Sequence, residues 1–231
     1  MTNTKWTTVE TYFDSHLLSS DPQLEAVLEN NSSAGLPAHD VTPSQAAFLS
    51  LLVKIHRSRR VLEIGTLGGY STIWLARALP PDGSVTTLEL NPVHAEVARQ
   101  NFQNCGVADQ IELMQGEAVS SLESLTSDSV EPFDFVFIDA DKTNNLTYFQ
   151  LALRLTTDHA VIVVDNVVRD GAVTDVSSAD PSVMGVQELV AALSCEEGVS
   201  ATALQTVGSK GYDGFILAYV NRVRKVVPPV L

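Results

Sequence analysis

Basic residues are scarce in this 231-residue chain: 14 Lys and Arg stand against 28 Asp and Glu, for a formal charge of −14. A surface so acidic repels phosphate backbones and anionic lipid headgroups, which argues against nucleic acid or a membrane surface as partner. Cysteine is scarcer still. Cys105 and Cys195 lie far apart, without the C-x-x-C or Cys/His spacing of a zinc or redox site. Each falls in a stretch of helical pattern and reads as packing, so a reducing, cytoplasmic setting follows. No apolar run approaches the ~18 residues of a membrane span; Phe133–Ile138 and Ala160–Val164 are strand-sized. Met1–Phe13 is polar and lacks the apolar stretch of a secretory signal. Also absent is the G-x-G-x-x-G turn that dinucleotide binding requires.

What is present is an ordinary apolar content, 45%, in a chain long enough to bury a sheet with helices on both faces. The expected organisation is one domain over 1–231, with a helical extension at 1–40 and a catalytic core at 41–220. The extension reads as two short helices, Val9–Ser19 and Asp21–Glu29, closed by a loop from Asn30 to Asp40. Thr42 and Pro43 then open a helix to about His56, the threonine as N-cap. From Arg60 strand and helix alternate. Strands are expected at Val61–Ile64, Ser84–Leu90, Ile111–Met114, Phe133–Ile138 and Ala160–Val164. Helices follow at Tyr70–Leu79, Pro92–Asn104, Ala118–Leu125, Asn145–Leu155 and Gly185–Cys195. Apolar strands each followed by a helix predict a parallel sheet covered on both faces. The last two strands, Ala201–Val207 and Gly214–Val220, are joined by a turn too short for a parallel crossover. The fold class is therefore α/β, a doubly wound sheet with an antiparallel C-terminal edge.

Two groups of residues carry chemistry. Gly65, Gly68 and Gly69 sit where the first strand turns into its helix, where glycines allow close approach and the helix N-terminus offers free N–H groups. Such turns also serve merely to pack helix on strand. Here Glu89 ends the second strand, where a carboxylate can take both hydroxyls of a ribose, and Glu63 ends the first, where an acid suits an ammonium. A ligand with a ribose at one end and an amino acid at the other fits: S-adenosylmethionine. The second group is Asp139, Asp141 and Lys142 after the fourth strand, with Asp165 and Asn166 after the fifth. Acids after strands also cap helices. An Asp-Asn pair opposite Asp-x-Asp-Lys suits a hard cation held by Asp139, Asp165 and Asn166, Mg²⁺ first, with Ca²⁺ or Mn²⁺ as alternatives. Lys142, the one cation of this cluster, is the candidate general base.

With these residues in view the chain from about His39 to Val220 resembles the cation-dependent O-methyltransferases of the catechol and caffeoyl-CoA type, microbial branch. The matching motifs are Leu62-Glu-Ile-Gly-Thr-Leu-Gly-Gly-Tyr-Ser71, Ile138-Asp-Ala-Asp-Lys142 and Asp165-Asn-Val-Val-Arg-Asp-Gly171. The resemblance implies a Rossmann-like methyltransferase sheet. It places cofactor contacts at Val41, Glu63, Gly65, Thr66, Ser71, Glu89, Ala118, Asp139 and Asp141. Metal ligands fall at Asp139, Asp165 and Asn166, and the base at Lys142. It also implies a small phenolic acceptor with vicinal hydroxyls and a homodimer. Departures from the family pattern fall mainly where the acceptor is expected: Arg169 for Trp, Asn145 for Tyr, Asp170 for Asn, His39 for Met, and Leu189-Val190 for Phe-Asn. His39, Arg169 and Asp170 are thus the candidate acceptor contacts. Two rival readings are an NAD-dependent oxidoreductase on a similar sheet and a cofactor-binding homologue without catalysis.

Overall fold

Alternation within the strands decides which helices cover which face. In β1 (Arg60–Ile64), Leu62 and Ile64 face one way and Val61 and Glu63 the other, as the two-residue period of a strand requires. The first face joins Val136 and Ile138 of β4 (Phe133–Ile138) and Ile162 and Val164 of β5 (Thr156–Asp165) in one apolar cluster. The second joins Phe135, Phe137 and Val163 in another. Both clusters are buried, so the sheet lies between two helical layers. A computed structural model describes residues 4–222. The outermost parts of the expected domain, 1–3 and 223–231, lie outside the described residues.

The sheet has seven strands in the order β3-β2-β1-β4-β5-β7-β6, with β2 at Ser84–Glu89, β3 at Ile111–Gln115, β6 at Val199–Gly208 and β7 at Gly211–Val220. β1 to β5 run parallel; β7 pairs antiparallel with β5, and β6 with β7. The doubly wound sheet with its antiparallel edge is as the sequence predicts. Chain order reverses between β1 and β4, so the connections leaving these two strands part to opposite faces and open a crevice at their carboxyl ends.

The helices are α1 (Thr4–Leu17), α2 (Pro22–Ser33), α3 (Pro43–His56), α4 (Tyr70–Ala78), α5 (Pro92–Asn104), α6 (Ala118–Ser127), α7 (Asn145–Arg154) and α8 (Pro181–Leu193). Several expected boundaries need correction: α1 starts at Thr4 and not Val9, and β7 at Gly211 and not Gly214. Residues 30–33 continue α2 instead of opening a loop. Asn30 and Asn31 turn inward: Asn30 Nδ2 donates to Asn101 Oδ1 (2.8 Å), Asn101 Nδ2 to Asn31 Oδ1 (2.9 Å) and Gly68 O (2.8 Å), and Asn31 Nδ2 to Asp40 Oδ1 (2.9 Å). This amide network ties the glycine turn to α2 and α5. β5 begins at Thr156, four residues before the apolar run, because Thr156 still pairs with Phe133 across a register shift. Finally, α8 starts at Pro181, capped by Asp180, whose carboxylate accepts from Ser182 N (2.8 Å). Gly185 lies inside it, where a Cβ would strike the carbonyl of Lys142. The glycine lets α8 lie against the Lys142 turn, a packing reason for Gly within a helix. Cys105 is buried as expected, whereas Cys195 lies beyond the end of α8 and is exposed, so it does not pack the core.

Candidate active site

A cavity of about 1190 Å³ occupies the crevice. The turn after β1, where the sequence places the cofactor, forms one wall. Gly65 (φ +99°), Leu67 (φ +49°) and Gly69 (φ +83°) turn the chain into α4. Gly65 packs so closely on the carbonyl of Asp139 that a Cβ there would collide with it. Gly65, Thr66 and Ser71 line the cavity, as do Val41 from the segment before α3 and Ala118 from the start of α6. Glu89, at the end of β2, also lines it. One carboxylate oxygen accepts from the N–H groups of Thr66 (3.2 Å) and Leu67 (2.8 Å), the other from Asn91 N (2.8 Å), with His94 Nδ1 at 3.4 Å.

Glu63 takes a different place from its neighbours. It shares a face with Val61, so it points under α4, is fully buried, and does not line the cavity. Ser71 Oγ (2.7 Å), Thr72 Oγ1 and Thr87 Oγ1 (2.7 Å) donate to its carboxylate. Burial, with a smaller contribution from Asp139, raises its pKa from 4.5 to about 7, against the pull of those three hydroxyls. It communicates with the cavity through Ser71.

The opposite wall comes from the ends of β4 and β5. Asp139 continues the β1–β4 ladder, its N–H donating to Ile64 O (2.8 Å). Lys142, buried in the 3₁₀ turn after β4, donates from Nζ to Asp139 Oδ1 (2.7 Å). Asp165 is buried at the end of β5. Its Oδ1 accepts from Asn166 N (2.8 Å) and its Oδ2 from Gln45 Nε2 (2.6 Å). Burial first, and the charge of Asp139 second, raise its pKa. Asn166 adopts a left-handed conformation (φ +55°), which Asn tolerates better than most residues. Asp139, Lys142, Asp165 and Asn166 all line the cavity. Asp141 lines it on the cofactor side, accepting from Tyr148 Oη (2.5 Å) and Asn144 Nδ2 (2.7 Å).

Of the candidate acceptor contacts, His39 and Arg169 line the cavity and Asp170 does not. The other departures fall off it too: Asn145 is wholly buried with its amide unpartnered, Leu189 is core, and Val190 is partly exposed. The departures are therefore not mainly on the acceptor wall. Residues that the sequence did not single out are Gln45, Tyr148, Asn144 and Lys210, all of them lining. Tyr148 had a signal, seven positions after Asp141 and thus on the same side of a continuing helix.

Two carboxylates and an amide oxygen, with one ammonium between them, form an oxygen-donor set. Among the described residues no group of three or more His, Cys, Asp or Glu side chains gathers as a metal site. The donor chemistry suits a hard cation: Asp165 is buried, Asp139 is half-buried and acts on it electrostatically, and Lys142 is bonded only to Asp139.

A switch-point crevice with a glycine turn on one strand end and a carboxylate on the next defines a nucleotide-type cofactor fold of the methyltransferase kind. The O-methyltransferase family matches residues 15–219, and the chain belongs to that family. It is 50% identical to the catechol O-methyltransferase of Mycobacterium tuberculosis, over 92% of this chain and 95% of the relative. It is 44% identical to that of Niastella koreensis, over 96% and 100%. Among solved structures, an O-methyltransferase from Bacillus cereus in complex with SAH superposes with a TM-score of 0.93 at 52% identity, covering 94% of this chain and 99% of that one. The O-methyltransferase TomG of Streptomyces achromogenes, in complex with SAM, gives 0.93 at 44% identity, over 96% and 100%. The chain is an S-adenosylmethionine-dependent O-methyltransferase. That sets aside both rival readings.

Proposed function

We propose that the chain methylates one hydroxyl of a small phenolic acceptor with vicinal hydroxyls, aided by a divalent cation, Mg²⁺ before Mn²⁺ or Ca²⁺. The observation that carries this reading is the pair Asp139 and Asp165 on adjacent strand ends, Asp165 buried and Asp139 half-buried, with the Lys142 ammonium bonded to Asp139 and all three lining the cavity beside the glycine turn. Asp139, Asp165 and Asn166 would hold the cation. When bound, such an ion supplies charge that lowers the pKa of a hydroxyl coordinated to it.

The chain's own residues do the rest. Lys142, acting as the free amine, takes the proton of the reacting hydroxyl on Nζ and becomes the ammonium, and Gly185 and the α8 backbone behind it fix its turn. Gln45 holds Asp165 through its amide, and Asp165 in turn caps Asn166 N–H. Glu89 takes the ribose hydroxyls of the cofactor, with Thr66, Ser71, Val41, Ala118 and Asp141 completing its wall. Alignment of the two reactants in this crevice can account for roughly 7–11 kcal/mol of barrier reduction.

The relatives from M. tuberculosis and N. koreensis, both named as catechol O-methyltransferases, support the acceptor class. The free thiols Cys105 and Cys195 support a reducing, cytoplasmic setting. No helix of the described residues is long and apolar enough to cross a membrane. We read residues 1–231 as one domain acting as a homodimer; the exposed Tyr12, Phe13 and Leu17 of α1 and Leu51 and Ile55 of α3 supply apolar surface for it. Light scattering on the purified chain tests the dimer. The deciding test of function is methyl transfer to simple catechols and caffeoyl derivatives with Mg²⁺, with and without EDTA. Transfer that survives exhaustive chelation removes the cation from the reading.

A further inference from the structure

Two cations on the acceptor wall have no place in the reaction above. Arg169 stands three residues after Asn166, in the turn that follows β5. Its backbone is fixed in a left-handed conformation (φ +57°) by Asp213, one of whose carboxylate oxygens accepts from Val168 N (2.9 Å), Arg169 N (3.1 Å) and Gly214 N (2.9 Å). The guanidinium therefore hangs from a rigid mount. Its Nε is buried without a hydrogen-bond partner among the described residues. A buried donor left unpaired is costly, and a ligand that pairs with it recovers that cost. Lys210 occupies the tip of the β6–β7 hairpin, held over the crevice where Glu10 of α1 accepts from Ser209 N. Loss of water lowers its pKa, opposed by Asp40, Asp139, Asp165 and Glu10. Its ammonium makes no ion pair within 4.0 Å among the described residues, and Arg169 and Lys210 both line the cavity that contains Asp165 and Asn166.

We propose that Arg169 and Lys210 form an anion subsite that selects acceptors carrying a carboxylate, that is, aromatic acids bearing vicinal hydroxyls. This rests on the acceptor reading above. The guanidinium fork matches a carboxylate through two parallel N–H donors, and the more exposed lysine adds a point charge at the mouth. The carboxylate belongs to the acceptor because Arg169 extends from the β5 end, beside Asp165 and Asn166. The ribose-directed Glu89 lies across the switch point at the end of β2. Position matters too: a surface with net charge −14 draws in no anion unless local cations offset the field.

The test compares 3,4-dihydroxybenzoate with its methyl ester, which keeps both hydroxyls and removes the charge. Each is assayed with the full-length chain, Mg²⁺ and S-adenosylmethionine. The unaltered protein is expected to favour the acid in kcat/KM by ~10–100-fold, the range for a hydrogen bond to a charged group. Arg169→Gln should cut that acid-to-ester ratio by ~10-fold or more, chiefly through the acceptor KM. Lys210→Gln, at an exposed turn where the fold does not depend on it, should cut it less. A ratio near one in the unaltered chain overturns the proposal, as do equal losses on acid and ester or a loss confined to cofactor KM. Calorimetric binding of the two compounds to the chain loaded with S-adenosylhomocysteine separates this from the reaction itself. Acid bound more tightly than ester, with neither methylated, keeps the subsite and sinks the catechol reading. Equal binding sinks the subsite alone.

Discussion

The two walls of the cavity treat negative charge in opposite ways. On the cofactor wall each carboxylate is met by dipoles: Glu89 by three backbone N–H groups and Asp141 by a phenol and an amide, while Glu63, behind that wall, is met by three hydroxyls. On the acceptor wall Asp139 relies on Lys142, and Asp165 has one N–H and the Gln45 amide while facing Asp139. The first wall is satisfied before any ligand arrives. On the second, Lys142 is the one cation bonded to the Asp139–Asp165 pair, and Asp165 has no cation in contact among the described residues. Preorganised dipoles are what holding a cofactor requires; unbalanced charge is what drawing in a cation requires.

The sharpest way to break this contrast is to remove the cation. Chelation, or Asp165→Ala with cation present, is expected to abolish transfer while calorimetric affinity for S-adenosylhomocysteine stays within a few-fold. A parallel collapse of cofactor affinity would show that the walls are not separate. Next in size is Lys142→Ala, expected to lower kcat by ~10²–10⁴-fold, the range for a positioned general base. The loss should shrink with a nitrocatechol, which already favours its anion at neutral pH. Equal losses on nitrocatechol and catechol, with Lys142→Arg restoring activity, would reduce the lysine to a counter-charge. Across the crevice, Glu89→Ala should raise the cofactor KM by ~10–100-fold and change kcat far less, since ribose contacts are alike in ground and transition states. A fall in kcat at saturating cofactor would contradict the assignment.

The remaining prediction concerns stability and leaves transfer aside. Between 4.5 and about 7 the folded chain keeps a proton on Glu63 that the unfolded chain has released, so stability falls as pH rises through that window. The fall amounts to about 3 kcal/mol, since each pH unit across the window contributes ~1.4 kcal/mol. Melting of the ligand-free chain should therefore drop from pH 5 to pH 7.5, and Glu63→Gln should flatten the slope. Asp165, whose pKa is also raised, leaves a residual slope of the same sign. An unchanged slope in Glu63→Gln would show that the buried carboxyl ionises freely.

The strand ends were the legible part of this molecule. Apolar runs such as Phe133–Ile138 mark strands regardless of context, and in a doubly wound sheet their C-terminal neighbours, Asp139 and Asp165, meet by topology. Glu63 shows where such reasoning stops short. Its strand position was readable, but its side chain follows Val61 to the face under α4, so Ser71 reaches the cavity in its stead. Gln45 was not legible because its partner lies 120 positions away, and nothing local marks it. The asparagines of α2 read as loop residues because their value lies in a buried network with Asn101 that only the folded chain assembles. The hairpin tip with Lys210 is likewise brought to the crevice by strand pairing at the far edge of the sheet.

The ladder between β1 and β4 has a further consequence. Gly65 leaves β1 one step past Ile64, and Asp139 leaves β4 bonded to that same Ile64 carbonyl. The donor's cradle and the receiver's anchor are therefore adjacent rungs, about 4.8 Å apart by the geometry of any sheet. On the proposed reading the strand spacing, like the gauge of a railway, sets how far the cofactor turn stands from Asp139, and the side chains place each reactant within that frame. Acceptor preference is carried farther out, on the turn after β5 and the hairpin tip. Exchange of Arg169 or Lys210 would thus alter the proposed acceptor preference while leaving the β1–β4 ladder untouched.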